Sequence, residues 1–97
     1  MFARIASFEG GDTEQLRKMN EERQASGSMG LPAGVRRVLM LDDAGANRRL
    51  FVTFFDSPEE IAAAETQFDS MGDEIPEDVR GRRTSVEQYE VVFEQET

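Results

Sequence analysis

The sequence predicts an α+β fold, with one four-stranded antiparallel sheet and two helices on one of its faces in the order βαββαβ. Three observations carry that expectation. Capping signals at Asp12 and at Ser57 each open a segment with helical character. Runs of strand-favouring residues precede each of these segments and follow the second. Between the two helical segments, two such runs flank a short turn containing glycine, which makes them a hairpin. Ninety-seven residues leave room for a single domain, 1–97.

Residues 2–8, Phe-Ala-Arg-Ile-Ala-Ser-Phe, form the first strand, which Gly10 and Gly11 stop. Asp12 with Gln15 three residues on has capping-box spacing, and the first helix runs to about Ala25. Its apolar stripe is thin, only Leu16 and Met19 with Ala25 near the end, so one face is lightly buried. Residues 26–34 are a loop rich in chain breakers. Val35 to Leu41 is the second strand, Asp42 to Asn47 the turn, and Leu50 to Phe55 the third strand. That third run is apolar on both faces, which belongs in the middle of a sheet. Ser57-Pro58-Glu59-Glu60 starts the second helix: serine caps, proline fits the first helical position and the carboxylates favour the positive end of the dipole. Ile61, Ala64, Phe68 and Met71 repeat at helical spacing, and Gly72 is expected to end the helix. Residues 73–84 read as a second long loop and Val86 to Phe93 as the last strand.

Short connections and right-handed crossovers turn this order into the ferredoxin-like arrangement. Both helices then cover one face of the sheet. Leu50, Val52 and Phe54 point one way and Phe51 and Phe55 the other, so the uncovered face is also apolar. An exposed apolar face of that size is an interaction surface, and packing of one sheet on another in a homodimer would bury it.

Composition excludes several chemistries. The chain has no Cys, hence no disulfide, thiolate metal site or cysteine nucleophile. It has no His, hence no Ser-His triad and no imidazole base or ligand. Twenty acidic against eleven basic residues give a net charge of −9, a field that repels phosphate backbones, so nucleic acid is not an expected partner. No apolar run approaches a bilayer span, so no membrane association is expected. The first residues lack the charged-then-apolar order of a signal peptide, and a cytoplasmic location is expected.

With these elements in place the chain resembles the dimeric α/β barrel proteins of the antibiotic-biosynthesis-monooxygenase type. Four segments carry the resemblance across nearly the whole chain: Ala3-Arg4-Ile5 closing at Phe8-Glu9-Gly10; Leu31-Pro32-Ala33-Gly34-Val35; the strand exit Phe54-Phe55-Asp56-Ser57-Pro58-Glu59-Glu60; and Val86-Glu87-Gln88-Tyr89-Glu90-Val91. The resemblance implies a homodimer whose sheets close into a barrel, and a small-ligand cleft between sheet and helices in each subunit. It brings in two activities of that family, oxygenation of aromatic polyketides without metal or flavin, and degradation of haem. The chain departs from both patterns. Phe55 stands where active members commonly have Trp, Arg4 stands where haem-degrading members carry Asn, and there is no His for the second helix. Haem degradation is therefore not expected, and no cofactor is implied.

Arg4 is the foremost candidate residue. It alternates with Phe2, Ala6 and Phe8, and on the helix-facing side its planar fork would meet a carboxylate, phenolate or enolate. The competing reading is a structural ion pair. Phe51, Phe55 and Phe68 would wall a pocket for a flat ligand, with Thr53 donating a hydrogen bond; as plain core they would do the same packing without a ligand. Tyr89 is a candidate proton donor and Glu65 a candidate base at the cleft mouth, each weighed against an ordinary surface role. Arg80, Arg82 and Arg83 would meet an anion or a partner's acidic surface, or balance their acidic neighbours. Met29 and Leu31 would form a lid, or tuck onto the core. Neither Asp42-Asp43 nor Asp73-Glu74 has the alternating ligands of a calcium loop, so no metal site is expected. The expectation is a small-ligand-binding homodimer with a cleft between sheet and helices and a small aromatic compound as the fitting ligand. The alternative is a cofactor-independent monooxygenase acting on a small aromatic or enolisable substrate.

Overall fold

The structure, a computed structural model, describes residues 1–27 and 30–97. The elements are β1 (Phe2–Glu9), α1 (Thr13–Ala25), β2 (Arg37–Asp43), β3 (Arg48–Phe55), α2 (Pro58–Glu74), a short α3 (Glu77–Arg80) and β4 (Arg82–Glu90). The strands form one open sheet in the order β2-β3-β1-β4, antiparallel at every pairing. This is the ferredoxin-like order, with β3, the strand apolar on both faces, in the interior. No helix among the described residues is long and apolar enough to cross a membrane.

The two capping side chains bond as the sequence predicts, but the return half of the capping box does not form: the Asp12 amide donates to the Val79 carbonyl, and Glu60 Oε2 is buried without a partner. The Asp12 carboxylate accepts from the Gln15 amide at 3.1 Å, and the Ser57 hydroxyl accepts from the Glu60 amide at 3.3 Å. The end of the second helix differs from the expected one. α2 runs through Gly72 to Glu74 and stops at Ile75, which is extended (φ −104°, ψ 125°). Gly72 does not take the left-handed backbone that would terminate a helix there. Pro76 does the stopping, because its ring pushes the preceding residue out of the helical region. The expected loop over 73–84 therefore contains the end of α2, all of α3 and the start of β4.

The edge strands also sit differently from expectation. β4 is Arg82–Glu90 and not Val86–Phe93, because β1 sets its length: Glu9 pairs with Arg82 at one end and Phe2 with Glu90 at the other. Val91 still donates to the Met1 carbonyl, and beyond it β1 offers no partner. β2 is shifted towards the turn: Asp42 and Asp43 pair with Arg49 and Arg48, leaving only residues 44–47 as the turn, where Asn47 takes a positive φ of 46°.

Register places Phe2, Arg4, Ala6 and Phe8 of β1 on the same face as Phe55, Thr53, Phe51 and Arg49 of β3. α2 packs on the Phe2–Phe55 end of that face, where Phe55, Ile61, Ala64 and Phe68 form the core with Phe2, Val35, Phe51 and Met71 against them. Each fully buried ring or branched side chain contributes about 1.5–3 kcal/mol. The opposite face carries Leu39, Leu41, Leu50, Val52, Phe54 and Tyr89, and neither long helix covers it; Leu41 and Tyr89 are about half exposed.

Candidate functional site

Because α2 closes one end of the helix-bearing face, the other end stays open. A cleft of about 390 Å³ lies there. Arg4, Ala6 and Phe8 of β1 with Arg49 and Phe51 of β3 form its floor. Leu16, Asn20 and Arg23 of α1 form one wall, and Phe68 and Met71 of α2 the other, with Arg80 and Arg83 at the end. The cleft between sheet and helices that the resemblance implies is thus a feature of the fold.

Arg4 is 2% exposed, and α2 supplies two contacts for it one helical turn apart. Its Nε donates to Glu65 Oε1 at 2.7 Å and its Nη2 to Oε2 at 3.2 Å, a bidentate pair. The guanidinium carbon lies 4.1 Å above the centre of the Phe68 ring. Arg4 therefore faces the cleft and is also held by a structural ion pair. Glu65, weighed from sequence as a base, is the counter-ion of Arg4; its oxygens already receive the guanidinium.

Phe68 joins core to cleft. It meets Phe55 edge to face at 6.2 Å on the core side and Phe51 in the same manner at 6.3 Å on the cleft side. Phe51 and Phe68 line the cleft; Phe55 and Thr53 do not. Phe55 is fully buried under α2. Thr53 is fully buried in the row beside Arg4, and its hydroxyl has no partner. Both lie towards the closed end of the sheet, so they support the cleft wall from behind.

Tyr89 pairs with Ala3, which alternation puts on the sheet face away from the cleft. It is exposed, and its hydroxyl donates to Glu87 Oε2 at 2.5 Å. That hydrogen bond and the charge of Glu87 raise its pKa above the ordinary phenol value of 10.0. Tyr89 is not a group of this cleft. The arginine cluster is divided in the same way. Arg82 pairs with Glu9 at 3.6 Å outside the cleft, whereas Arg80 and Arg83 line it. Arg83 donates to Asp69 at 3.2 Å and Arg80 to the Ile75 carbonyl at 3.2 Å. Leu31 is half-buried and not part of the lining, and Met29 falls outside the described residues. Asp42 accepts from the Thr13 hydroxyl and Asp43 pairs with Arg48, both turn and strand contacts.

Sequence reasoning missed Arg49. It is 2% exposed on the helix-bearing face of β3, with Nη1 donating to the Gly10 carbonyl at 2.8 Å and to the Thr13 hydroxyl at 3.3 Å. The signal was present: Arg49 lies two residues before Phe51 and so shares its face. Starting the third strand at Leu50 left it outside the strand, between turn and sheet.

No protein-family model matches the chain, and no curated protein sequence matches it. Among solved structures it is similar to a point mutant of MhuD with two manganese protoporphyrin IX bound per active site. The TM-score is 0.63 at 16% identity, over 100% of both chains. That likeness bears out the ferredoxin-like βαββαβ fold expected of the chain.

Proposed function

We propose that the chain binds a small, flat, largely apolar ligand in the cleft between sheet and helices, and that it does so as a homodimer through the free sheet face. The observation that supports this best is an open space of about 390 Å³ beside the Phe51 and Phe68 rings, within the range of roughly 300–1,000 Å³ usual for ligand sites. Had the rings collapsed into that space, the same residues would be ordinary core. The catalytic candidates give the oxygenase alternative less support. Glu65 is engaged by Arg4, and Tyr89 lies on the far face.

The manganese porphyrin of the MhuD mutant raises the question of a tetrapyrrole here. The chain has no imidazole or thiolate, and its one phenol lies outside the cleft. The sulfur of Met40, at the cleft edge, is met by the Asn20 amide at 3.8 Å. This donor set does not fit an axially ligated haem iron.

A thermal-shift panel of flat aromatic acids, naphthoquinones, anthrones and haemin tests the proposal. A ligand at about 100 times its Kd stabilises by about 2.7 kcal/mol. For a domain of this size that raises Tm by roughly 10 °C or more. A shift of that order with a flat aromatic, reduced in a Phe51→Ala variant that removes one ring of the cleft lining, is the expected result. A flat response to the whole panel overturns it.

A further inference from the structure

The charge of the cleft is opposite to that of the chain. The protein carries −9, yet the cleft is lined by five arginines, Arg4, Arg23, Arg49, Arg80 and Arg83, against two aspartates, Asp69 and Asp73. Glu65 compensates Arg4 and Asp69 compensates Arg83. Among the described residues no carboxylate lies within 4.0 Å of the guanidinium of Arg49, which is 2% exposed.

A guanidinium cannot escape burial by losing its proton, so a buried one needs a partner on every N–H edge. Arg49 has partners for Nη1 alone; its Nε and Nη2 are buried without an acceptor. Those two nitrogens form one edge of the planar fork, the edge that matches the two oxygens of a carboxylate. Its surroundings are built closely. Gly11 has a φ of +86°, and a side chain there would begin 2.9 Å from Arg49 Nη2 and 2.5 Å from the Val79 carbonyl. Asp12 ties that loop to α3 through its amide on Val79. In register, Phe8 lies between Arg49 and Arg83, so two arginines flank one ring at the same end of the cleft.

We propose that this end of the cleft is an anion subsite in which Arg49 takes the carboxylate of a ligand whose apolar body lies along Phe51 and Phe68. The proposal rests on the cleft reading above and names the class of ligand: a small aromatic or aliphatic carboxylate.

The test uses two probes with one ring system, 2-naphthoate and 2-naphthamide, titrated calorimetrically into the intact protein. The acid is expected to bind at least roughly tenfold tighter than the amide, equivalent to about 1.4 kcal/mol. Added salt should narrow the gap. Arg49→Met should abolish it, Arg49→Lys should reduce it because a point charge replaces the fork, and Arg82→Gln should leave it intact. Should Arg49→Met fail to fold, the lysine variant decides: an undiminished preference for the acid overturns the assignment to Arg49. Equal binding of acid and amide overturns the anion subsite and leaves the cleft reading standing. Binding of neither probe overturns both.

Discussion

Arg4 and Glu65 are an ion pair with unequal members, and their replacement should have unequal effects. The arginine side chain is 2% exposed and the glutamate 40%. Glu65→Ala strands a buried guanidinium. Removing one partner of a fully buried pair costs about 3–5 kcal/mol, and water reaching the exposed glutamate reduces that here to about 2 kcal/mol. Arg4→Met leaves a carboxylate that water can solvate and keeps an apolar stem on Phe68, so about 1 kcal/mol or less is expected. Urea unfolding of the two variants checks the order; equal losses would show that Arg4 is not the desolvated member. Tyr89 gives a second prediction at this scale. Its hydrogen bond to Glu87 and the adjacent negative charge both favour the neutral phenol, so it should ionise above pH 10. Glu87→Gln removes the charge and should lower the midpoint. With one Tyr and no Trp in the chain, phenolate absorbance reports it directly. At residue scale the sequence showed Arg4 well, because alternation on β1 sets its face, and showed Arg49 poorly, because its face depends on where β3 begins. It placed Tyr89 in the right strand, but its side follows from pairing with Ala3, which is tertiary information.

Elements were legible where a local signal sets them and misplaced where a neighbour does. The caps at Asp12 and Ser57 are local, since a side-chain oxygen meets an amide three residues on, and both form. Ser57→Ala should therefore cost about 1 kcal/mol in unfolding free energy, with no change in the oligomer. The end of α2, the limits of β2 and β4 and the start of β3 depend on Pro76, on the Asp43–Arg48 register and on the length of β1, and these were the boundaries misread. α2 is the element that joins stability to the cleft, because Phe68 packs on the core ring of Phe55 and on the cleft ring of Phe51. At 6% exposure it behaves as core, and Phe68→Ala should cost about 3–5 kcal/mol. Phe51→Ala, at a half-buried site with open space beside it, should cost clearly less. Chemical denaturation of both variants separates a ring that builds the core from one that lines the open cleft. Equal losses would mean that the cleft closes around Phe51 in solution.

At the scale of the whole molecule, both faces of the sheet carry apolar side chains, and only one of them is covered by helices. The helix-bearing face resolves into core at one end and cleft at the other. The free face has no such division: Leu41 and Tyr89 are about half exposed, with Leu50 and Phe54 half-buried beside them. Apolar side chains clustered on the flat face of a small domain favour association, and the proposed homodimer would add burial to a domain of a length that buries only about 60–70% of its unfolded surface alone. If two sheets pack face to face, the mass in solution should be twice 10.9 kDa at micromolar concentration. Leu41→Glu supplies the decisive variant. At an exposed monomer surface such a change shifts stability by about 0.5 kcal/mol or less. In a sheet-to-sheet interface it buries an unpaired carboxylate and should halve the mass seen in sedimentation, while the far-ultraviolet spectrum of the monomer stays that of the fold. The ligand response then shows whether assembly matters to the cleft, since the cleft lies on the helix-bearing side of the sheet, opposite the free face. A monomeric Leu41→Glu protein that keeps the thermal shift would place the dimer in the service of stability alone. Loss of the shift with the dimer would mean that pairing of the free faces sets the twist of the sheet on which Arg4, Arg49 and Phe51 stand.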